Sequence, residues 1–283
     1  MGSLSVLYNI PALQAQDELG LTQTALNSTL TALSSGQRIN TGADDPAGLA
    51  IANGLEANIT ALTQSVQNAT DGVGELQVAD GALSQITSLL NSAVALATES
   101  ANGTISDTQR TALQAEFASI TTEIDSIGAN TTYNGQAIFG STPITIYMSD
   151  SSSAGVNLVT VTFSAVSSAA LGTVNGATVT GVAAAFLSTA AGAQDALSSL
   201  NDAIQGIAQL RGDLGADSNQ LSSAINVMNV QITNLTGAEN GIMAANMGEE
   251  TSNLSKYSIL QQTGIAALQQ SNELQQNVLK LFQ

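Results

Sequence analysis

Pairs of adjacent carboxylates, among them Asp44-Asp45 and Glu249-Glu250, are the arrangement in this 283-residue chain that general acid/base catalysis could use. Such chemistry needs both groups held in a pocket that drives their pKa values apart. Here Asp44-Asp45 precedes Pro46 and Glu249-Glu250 follows Gly248, so each pair stands at a helix end, where capping and solvation account for it. The chain has no Cys and no His. That excludes thiolate nucleophiles, disulfides, zinc sites built on Cys or His, and any triad with a His base. No cofactor and no metal are expected, and the reading is of a protein that is not an enzyme.

The charge balance narrows the partners. Twenty-two acidic residues face five basic ones, Arg38, Arg110, Arg211, Lys256 and Lys280, for a net charge of −17. Binding to nucleic acid requires a basic surface that releases counterions, and an anionic membrane would repel such a chain. No apolar run reaches the roughly 18 residues needed to span a bilayer, so membrane insertion is not expected. Charged residues are only 10% of the total, against about 25% in ordinary domains. The polar surface is therefore Ser, Thr, Asn and Gln, which a neighbouring protein can cover at lower desolvation cost than charges.

The elements that carry these residues are long helices. From Leu55 to Ala97 apolar residues recur at spacings of four and three: Leu55, Ile59, Leu62, Val66, Ala69, Val73, Leu76, Leu83, Leu90, Val94 and Ala97. Asp80 and Thr87 interrupt the ladder. A second ladder runs Leu197, Leu200, Ile204, Ile207, Leu214, Leu221, Ile225, Met228, Ile232, Leu235 and Ile242, broken at Arg211, Ser218 and Glu239. This is coiled-coil periodicity, and the two ladders most economically cover each other.

Around them, residues 4–34 read as a helix with Leu19, Leu26, Leu30 and Leu33 on one face, followed by a break from Gly36 to Gly42. Asp44 or Asp45 caps the next helix, whose first turn holds Pro46. It runs to about Ser100, with a local kink expected near residues 72–74, where Gly72 and Gly74 fall. Ser106 or Asp107 opens a shorter helix that makes an antiparallel hairpin with it. From Asn130 to about Gly181 the period changes to two, with turn signals at Asn134-Gly135 and Asn175-Gly176 and an exposed loop at residues 150–155. Helix returns near Thr189 and continues to about Ala245. A last helix, residues 251–282, sets Leu260, Leu268, Leu274, Val278 and Leu281 on one face. The fold class is mainly α: long antiparallel coiled-coil helices formed by both chain ends, with a small β-rich central insert. The N-terminal MGSLSVLYNIPALQAQ has neither a basic n-region nor a clean apolar h-region, so export would use a route other than a conventional secretory signal.

Leu33-Ser-Ser-Gly-Gln-Arg-Ile-Asn40, followed by Asp44-Asp-Pro-Ala-Gly-Leu-Ala-Ile-Ala52, resembles the N-terminal signature of bacterial flagellin. Gln67-Asn-Ala-Thr-Asp-Gly72 continues it, and Thr131-Thr-Tyr-Asn-Gly135 is similar to the start of that family's small β-hairpin. Asn253-Leu-Ser-Lys256, Ile259-Leu-Gln-Gln262 and Gln276-Asn-Val-Leu279 resemble its C-terminal helix.

The resemblance implies a structural subunit that self-assembles into the flagellar filament for swimming motility, secreted and extracellular. It implies three parts. Residues 1–40 with 251–283 would form a terminal helical pair in the inner filament core, 41–140 with 190–250 a coiled-coil domain with a β-hairpin, and 141–189 a small β-rich outer domain. The implied partners are further copies of the chain in a helical homopolymer, a flagellar export chaperone, and the filament cap and hook-junction proteins; export would use the flagellar type III apparatus. The expected assembly interface comprises Leu7, Leu19, Leu26, Leu30, Leu33, Arg38, Leu260, Leu268, Leu274, Val278 and Leu281. Arg38 is either a solvated turn residue or half of an intersubunit or intrasubunit ion pair, with Asp44 or Asp45 as the partners within the chain. Members sensed by the animal flagellin receptor present an Arg, a Leu and a Glu; here Leu96 and Glu116 match while Ser92 does not, and Glu239 and Gly241 replace further basic positions. Exposed Ser151, Ser152 and Ser153 are candidates for the family's O-glycosylation. Two other readings remain open, a hook-filament junction protein and an acidic coiled-coil signalling module of chemoreceptor type. The second normally has membrane-spanning helices and no β insert.

Overall fold

The computed structural model describes residues 9–140, 143–149, 157–163, 165–169, 171, 173–174, 177–178, 182 and 185–281, with backbone only at 157–158, 173–174, 177–178 and 278–281. In chain order these form α1 (Ile10–Ser35), α2 (Pro46–Ala101), α3 (Asp107–Asn130), β1 (Thr132–Tyr133), β2 (Gln136–Ala137), β3 (Ile144–Met148), β4 (Asn157–Val161), β5 (Thr173–Val174), β6 (Ala177–Thr178), α4 (Ala190–Met243) and α5 (Met247–Leu281). The chain divides into two compact units, residues 58–233 and residues 1–57 with 234–283. The fold class read from the sequence is the one observed.

In the unit of residues 58–233, α2 and α4 run antiparallel. Asp80 bonds Arg211 and Gly72 lies against Leu221, so position rises along one helix as it falls along the other. The buried line of α2 is Leu62, Ser65, Ala69, Gly72, Leu76, Ala79, Leu83, Ile86, Leu90, Ala93, Ala97 and Ser100. Every second member, beginning with Leu62, is a ladder rung. The alternate members stand one residue away from the expected rungs Val66, Val73, Asp80, Thr87 and Val94, which are half-buried flanks. The difference has a physical cause: the second line is built largely of Ser, Gly and Ala, which pack closely but carry little hydrophobicity. On α4 the buried line is Ala193, Ala196, Leu200, Ala203, Ile207, Leu214, Leu221 and Met228. Leu210 and the half-buried Asp217 fill the same spacing.

That second line of α2 receives the insert. Ser65 Oγ donates to Ser149 O (2.9 Å) and accepts from Ser149 N (3.1 Å), while Asn68 Nδ2 donates to Tyr147 O (3.1 Å). Gly72 lies directly under Ile146, and Gly74 faces the Tyr133 hydroxyl. Helix continues through both glycines. They are contact points for the β layer, and helical hydrogen bonding is not broken at the place where a kink was expected.

Among the described residues the β layer consists of three antiparallel strand pairs. In β1–β2, Asn134 (φ 49°) and Gly135 (φ 77°) make the left-handed two-residue turn that an Asn-Gly pair favours. In β3–β4 the register runs from Ile144↔Val161 to Met148↔Asn157. Alternation buries Ile146, Met148, Val159 and Val161 and leaves Tyr147 exposed. Phe163 is fully buried and meets Phe139 edge-on, with ring centroids 6.1 Å apart. The Asn175-Gly176 turn and the loop at residues 150–155 lie outside the described residues.

Helix α3 begins at the expected place, with the Ser106 N–H donating to Gln109 Oε1 (3.0 Å). Arg110, nearly fully buried, turns back to donate to Asn102 O (2.9 Å) and closes the α2–α3 connection. Further along, Asp125 accepts from the Ser168 N–H (2.6 Å) and hydroxyl (2.8 Å), and Gly128 lies against the Val166 carbonyl. Leu187 ties both helices: its carbonyl accepts from Ser100 of α2 and its N–H donates to Gln114 of α3.

Candidate assembly surface

The unit of residues 1–57 with 234–283 is built on α1 and α5, which pack on each other. Asn9 caps α1 by accepting from the Ala12 N–H (3.2 Å), with Pro11 in the first turn. The same side chain accepts from the Ser271 hydroxyl (3.0 Å) and donates to its carbonyl (3.4 Å), pinning the start of α1 to α5. Leu19 sits on Gly264, and Gln261 donates to Gln23 (2.7 Å). The three contacts make the pair antiparallel.

On the covered face of α1, Ala12, Ala15, Leu19, Thr22, Leu26, Thr29 and Leu33 form a line flanked by Ala25 and the buried Ala32; on that of α5 the line is Leu254, Tyr257, Gln261, Gly264, Leu268, Ser271 and Gln275, flanked by Asn253 and Ser258. Both follow the spacing of three and four. Leu19, Leu26, Leu33 and Leu268 therefore serve the pairing within the chain. Leu30, Leu260 and Leu274 are exposed, by 46%, 44% and 58%. Leu7 lies outside the described residues, as do the side chains of Val278 and Leu281. Sequence reasoning passed over Ala12, Thr22, Gly264 and Ser271 because it tracked large apolar residues. The signal that would have found them is the heptad spacing of small and hydroxylated positions.

The outward side of the pair also carries exposed apolar side chains, Ile10, Leu13, Leu21, Ile259 and Ile265, among polar ones. Its charges cancel. Residues 1–40 and 251–283 hold Asp17, Glu18 and Glu273 against Arg38, Lys256 and Lys280, so the whole net charge of −17 falls on residues 41–250.

At the end of α1, Gly36 takes a left-handed conformation (φ 71°) and its N–H closes on Ala32 O. The next residues pair with the end of α4. Arg38 N donates to Met243 O (2.6 Å), Ala245 N to Gly36 O (3.0 Å), and Arg38 Nη2 to Ile242 O (2.8 Å). Among the described residues Arg38 has no carboxylate partner, so within the chain neither Asp44 nor Asp45 is its ion pair. Its guanidinium instead satisfies a free carbonyl in the last turn of α4, the negative end of that helix.

The carboxylate pairs stand at helix starts, where Asp45 is the member that caps. Asp45 accepts from the N–H groups of Ala47 (3.1 Å) and Gly48 (2.9 Å) at the start of α2. Asp44 accepts from Asn40 N, Thr41 N and the Thr41 hydroxyl, and these hydrogen bonds hold its carboxyl below the usual carboxylate range, the Thr41 N–H contributing most. Glu249 and Glu250 fill the first turn of α5, behind the cap supplied by Asn246. No group of three metal-binding side chains occurs among the described residues, and no described helix is long and apolar enough to cross a membrane. Of the other sites read from the sequence, Ser92 is exposed on α2, Leu96 half-buried on α2 and Glu116 exposed on α3. Ser151, Ser152 and Ser153 lie outside the described residues.

Comparison with known proteins agrees with this architecture. Residues 6–142 match the bacterial flagellin N-terminal helical region and residues 197–282 the bacterial flagellin C-terminal helical region. The chain is similar to flagellin of Listeria innocua, 32% identical over 285 residues with 99% of each chain covered. It is similarly close to flagellin of Bacillus subtilis, 32% identical over 306 residues with 99% of this chain and 100% of that one covered. A solved structure described as a putative flagellar hook-associated protein from Vibrio parahaemolyticus shares the fold, with a TM-score of 0.61 at 15% identity over 71% of this chain and all of that one. Full-length identity lies with the flagellins, and neither a junction protein nor a signalling module is favoured. This chain belongs to the bacterial flagellin family.

Proposed function

We propose that this flagellin, a structural subunit of the flagellar filament, polymerises through the outward faces of its terminal helical pair. Residues 1–40 with 251–283 form the inner filament core in this reading. Residues 41–140 with 190–250 form the surrounding coiled-coil domain, and 141–189 a small outer domain. The observation that carries it is the exposed apolar set on a neutral part of an acidic chain. Covering one such side chain fully is worth roughly 1.5–3 kcal/mol, and each is about half exposed at the start. The net charge of this part is zero, so copies meet there without the repulsion that −17 imposes on the rest of the chain. Arg38, bound to the end of α4, sets the turn that leads away from α1.

The terminal helices gain most of their stability from being covered. Their ordering is then completed when neighbours arrive, which keeps the exported monomer soluble. Secretion through the flagellar export apparatus, capture of α5 by an export chaperone, and contact with cap and hook-junction proteins complete the partner set. Ser92 makes the chain a weak activator of the animal flagellin receptor, and Ser151 to Ser153 are the sites proposed for glycosylation.

Negative-stain microscopy of purified protein after seeding tests the reading. Long filaments of constant diameter are expected from the full chain. The variant lacking residues 251–283 should form none while its residues 58–233 stay folded by circular dichroism. Filaments from that truncated chain would overturn the proposal.

A further inference from the structure

Asparagine followed by glycine is prone to modify itself, because the glycine nitrogen can attack the asparagine Cγ with no side chain in the way. The chain has such pairs at Asn53, Asn102, Asn134, Asn175 and Asn240. Asn175 lies outside the described residues, and the fold treats the others differently. Asn53-Gly54 and Asn240-Gly241 lie inside α2 and α4, where the glycine N–H donates along the helix and the main chain cannot turn. Asn134-Gly135 is held in its left-handed turn (φ 49° and 77°) by the pairing of Tyr133 with Gln136.

Asn102-Gly103 is under neither restraint. It lies in the exposed connection between α2 and α3, and among the described residues the Gly103 N–H has no hydrogen-bond partner. A Cβ added at Gly103 would meet nothing within 4 Å, so the approach to this nitrogen is open. Asn102 Oδ1 accepts from the Thr104 N–H (3.2 Å), which folds the carboxamide back over the main chain that follows it and polarises its C=O. The nucleophile is free, and the electrophile is turned toward it.

We propose that Asn102-Gly103 is a self-modification site, at which the asparagine converts to aspartate and isoaspartate. Gly103 N, its proton taken by hydroxide, attacks Asn102 Cγ; the new C–N bond closes a succinimide ring, and the side-chain nitrogen takes a proton from water and leaves as ammonia. Water then opens the ring. Attack at Cγ gives aspartate, whereas attack at the main-chain carbonyl carbon breaks the original peptide bond and routes the chain through Cβ and Cγ as isoaspartate. Overall, water is consumed and ammonia released, with no change of oxidation state. The conversion matters because Asn102 O accepts from Arg110 Nη2 (2.9 Å). The Arg110 side chain is 6% exposed, its Nη1 has no partner among the described residues, and the carboxylate beside it, Asp107 at 3.8 Å, is 98% exposed. Either product places a further carboxylate on the residue that already holds this buried cation. Aspartate keeps the main chain and adds attraction; isoaspartate lengthens the main chain and displaces the carbonyl.

Ageing the purified full-length protein in warm, mildly alkaline buffer, folded and in urea, tests the assignment, with peptide mass spectrometry at each pair and isoaspartyl methyltransferase labelling. In urea the pairs at Asn53, Asn102, Asn134 and Asn240 should convert at comparable rates. In the folded chain Asn102 is expected to stay near its urea rate while the other three fall behind by about tenfold or more, a barrier difference of at least about 1.4 kcal/mol. Gly103→Ala, with open space for its methyl group, should slow conversion at Asn102 by about tenfold without moving the melting temperature. Asn102→Asp is expected to melt at or above the parent, and the isoaspartate-bearing fraction below it. Protection of folded Asn102 equal to that of Asn53 and Asn240, or conversion of Asn134 as fast as Asn102, would overturn the site. A lower melting temperature for Asn102→Asp would overturn the part assigned to Arg110.

Discussion

Asp80 and Arg211, separated by 131 residues, bond to each other across α2 and α4, with Nε to Oδ1 at 2.7 Å and Nη2 to Oδ2 at 3.2 Å. Each is an interruption in an apolar ladder, so two apparent flaws in the periodicity are one interaction. Both side chains are partly exposed, 46% for Asp80 and 38% for Arg211. Solvent screening limits such a pair to about 1 kcal/mol, and its larger contribution is to register, since sliding either helix by one turn parts the charges.

Asp80→Ala and Arg211→Ala are each expected to lower stability by up to about 1 kcal/mol, with a double-mutant coupling of similar size that shrinks in salt. The hydrogen bond from Arg211 holds the Asp80 carboxyl below its ordinary value. Its contribution is therefore present at neutral pH and is lost as pH falls through that lowered value. Urea titrations at neutral pH and below the usual Asp range check both statements; a coupling of zero at low salt would contradict them.

Asp217 has the opposite sign. Burial within the α4 line, with Asp213 one turn away, pushes its carboxyl up, and burial alone does so for Glu75. A group raised on folding favours the folded state when protonated, so stability gained from it grows as pH falls through the folded value and is lost as pH rises. Asp217→Asn should raise Tm at neutral pH by roughly 1–2 °C and flatten the pH dependence between neutrality and the usual Asp range. A lower Tm for the amide would show that the carboxylate makes a favourable contact.

Gly128 on α3 faces the Val166 carbonyl so closely that a methyl group would displace backbone. Gly128→Ala is expected to cost roughly 1–3 kcal/mol, outweighing the gain in helix propensity, with the loss seen in thermal melting. Gly81 has open space around its Cβ position and is the control, where alanine should stabilise by up to about 1 kcal/mol.

At Gly264 a Cβ would come within 2.9 Å of Leu19 Cγ. Gly264→Val should part α1 from α5, speed amide exchange in both helices and suppress filament formation, while hydrogen exchange within residues 83–100 stays as in the parent. Normal filaments from this variant would show that close approach at Gly264 is dispensable.

Ser92→Arg should raise potency in a flagellin-receptor reporter assay by about tenfold, the effect of one added charge-assisted hydrogen bond. The parent matching an Arg-bearing flagellin in potency, with that potency lost on Glu116→Ala, would refute the assignment of weak activation to Ser92.

The sequence alone determined the element types and their order, because long heptad patterns, Asn-Gly turns and alternating strands are local signals that each residue carries with it. Leu62, Ala69, Leu76 and Leu83 announce a buried line wherever the helix packs. The family was legible for the same reason, in contiguous motifs around Arg38 and Lys256. What only the tertiary structure decided was which small or polar residue meets which. Ser65 with Ser149, Gly264 with Leu19, Asn9 with Ser271 and Arg38 with Ile242 are separated by long stretches of chain, and at least one member of each pair carries little or no hydrophobic signature. Their partners follow from the register of antiparallel helices, and register is a property of two surfaces brought together, which no single segment contains.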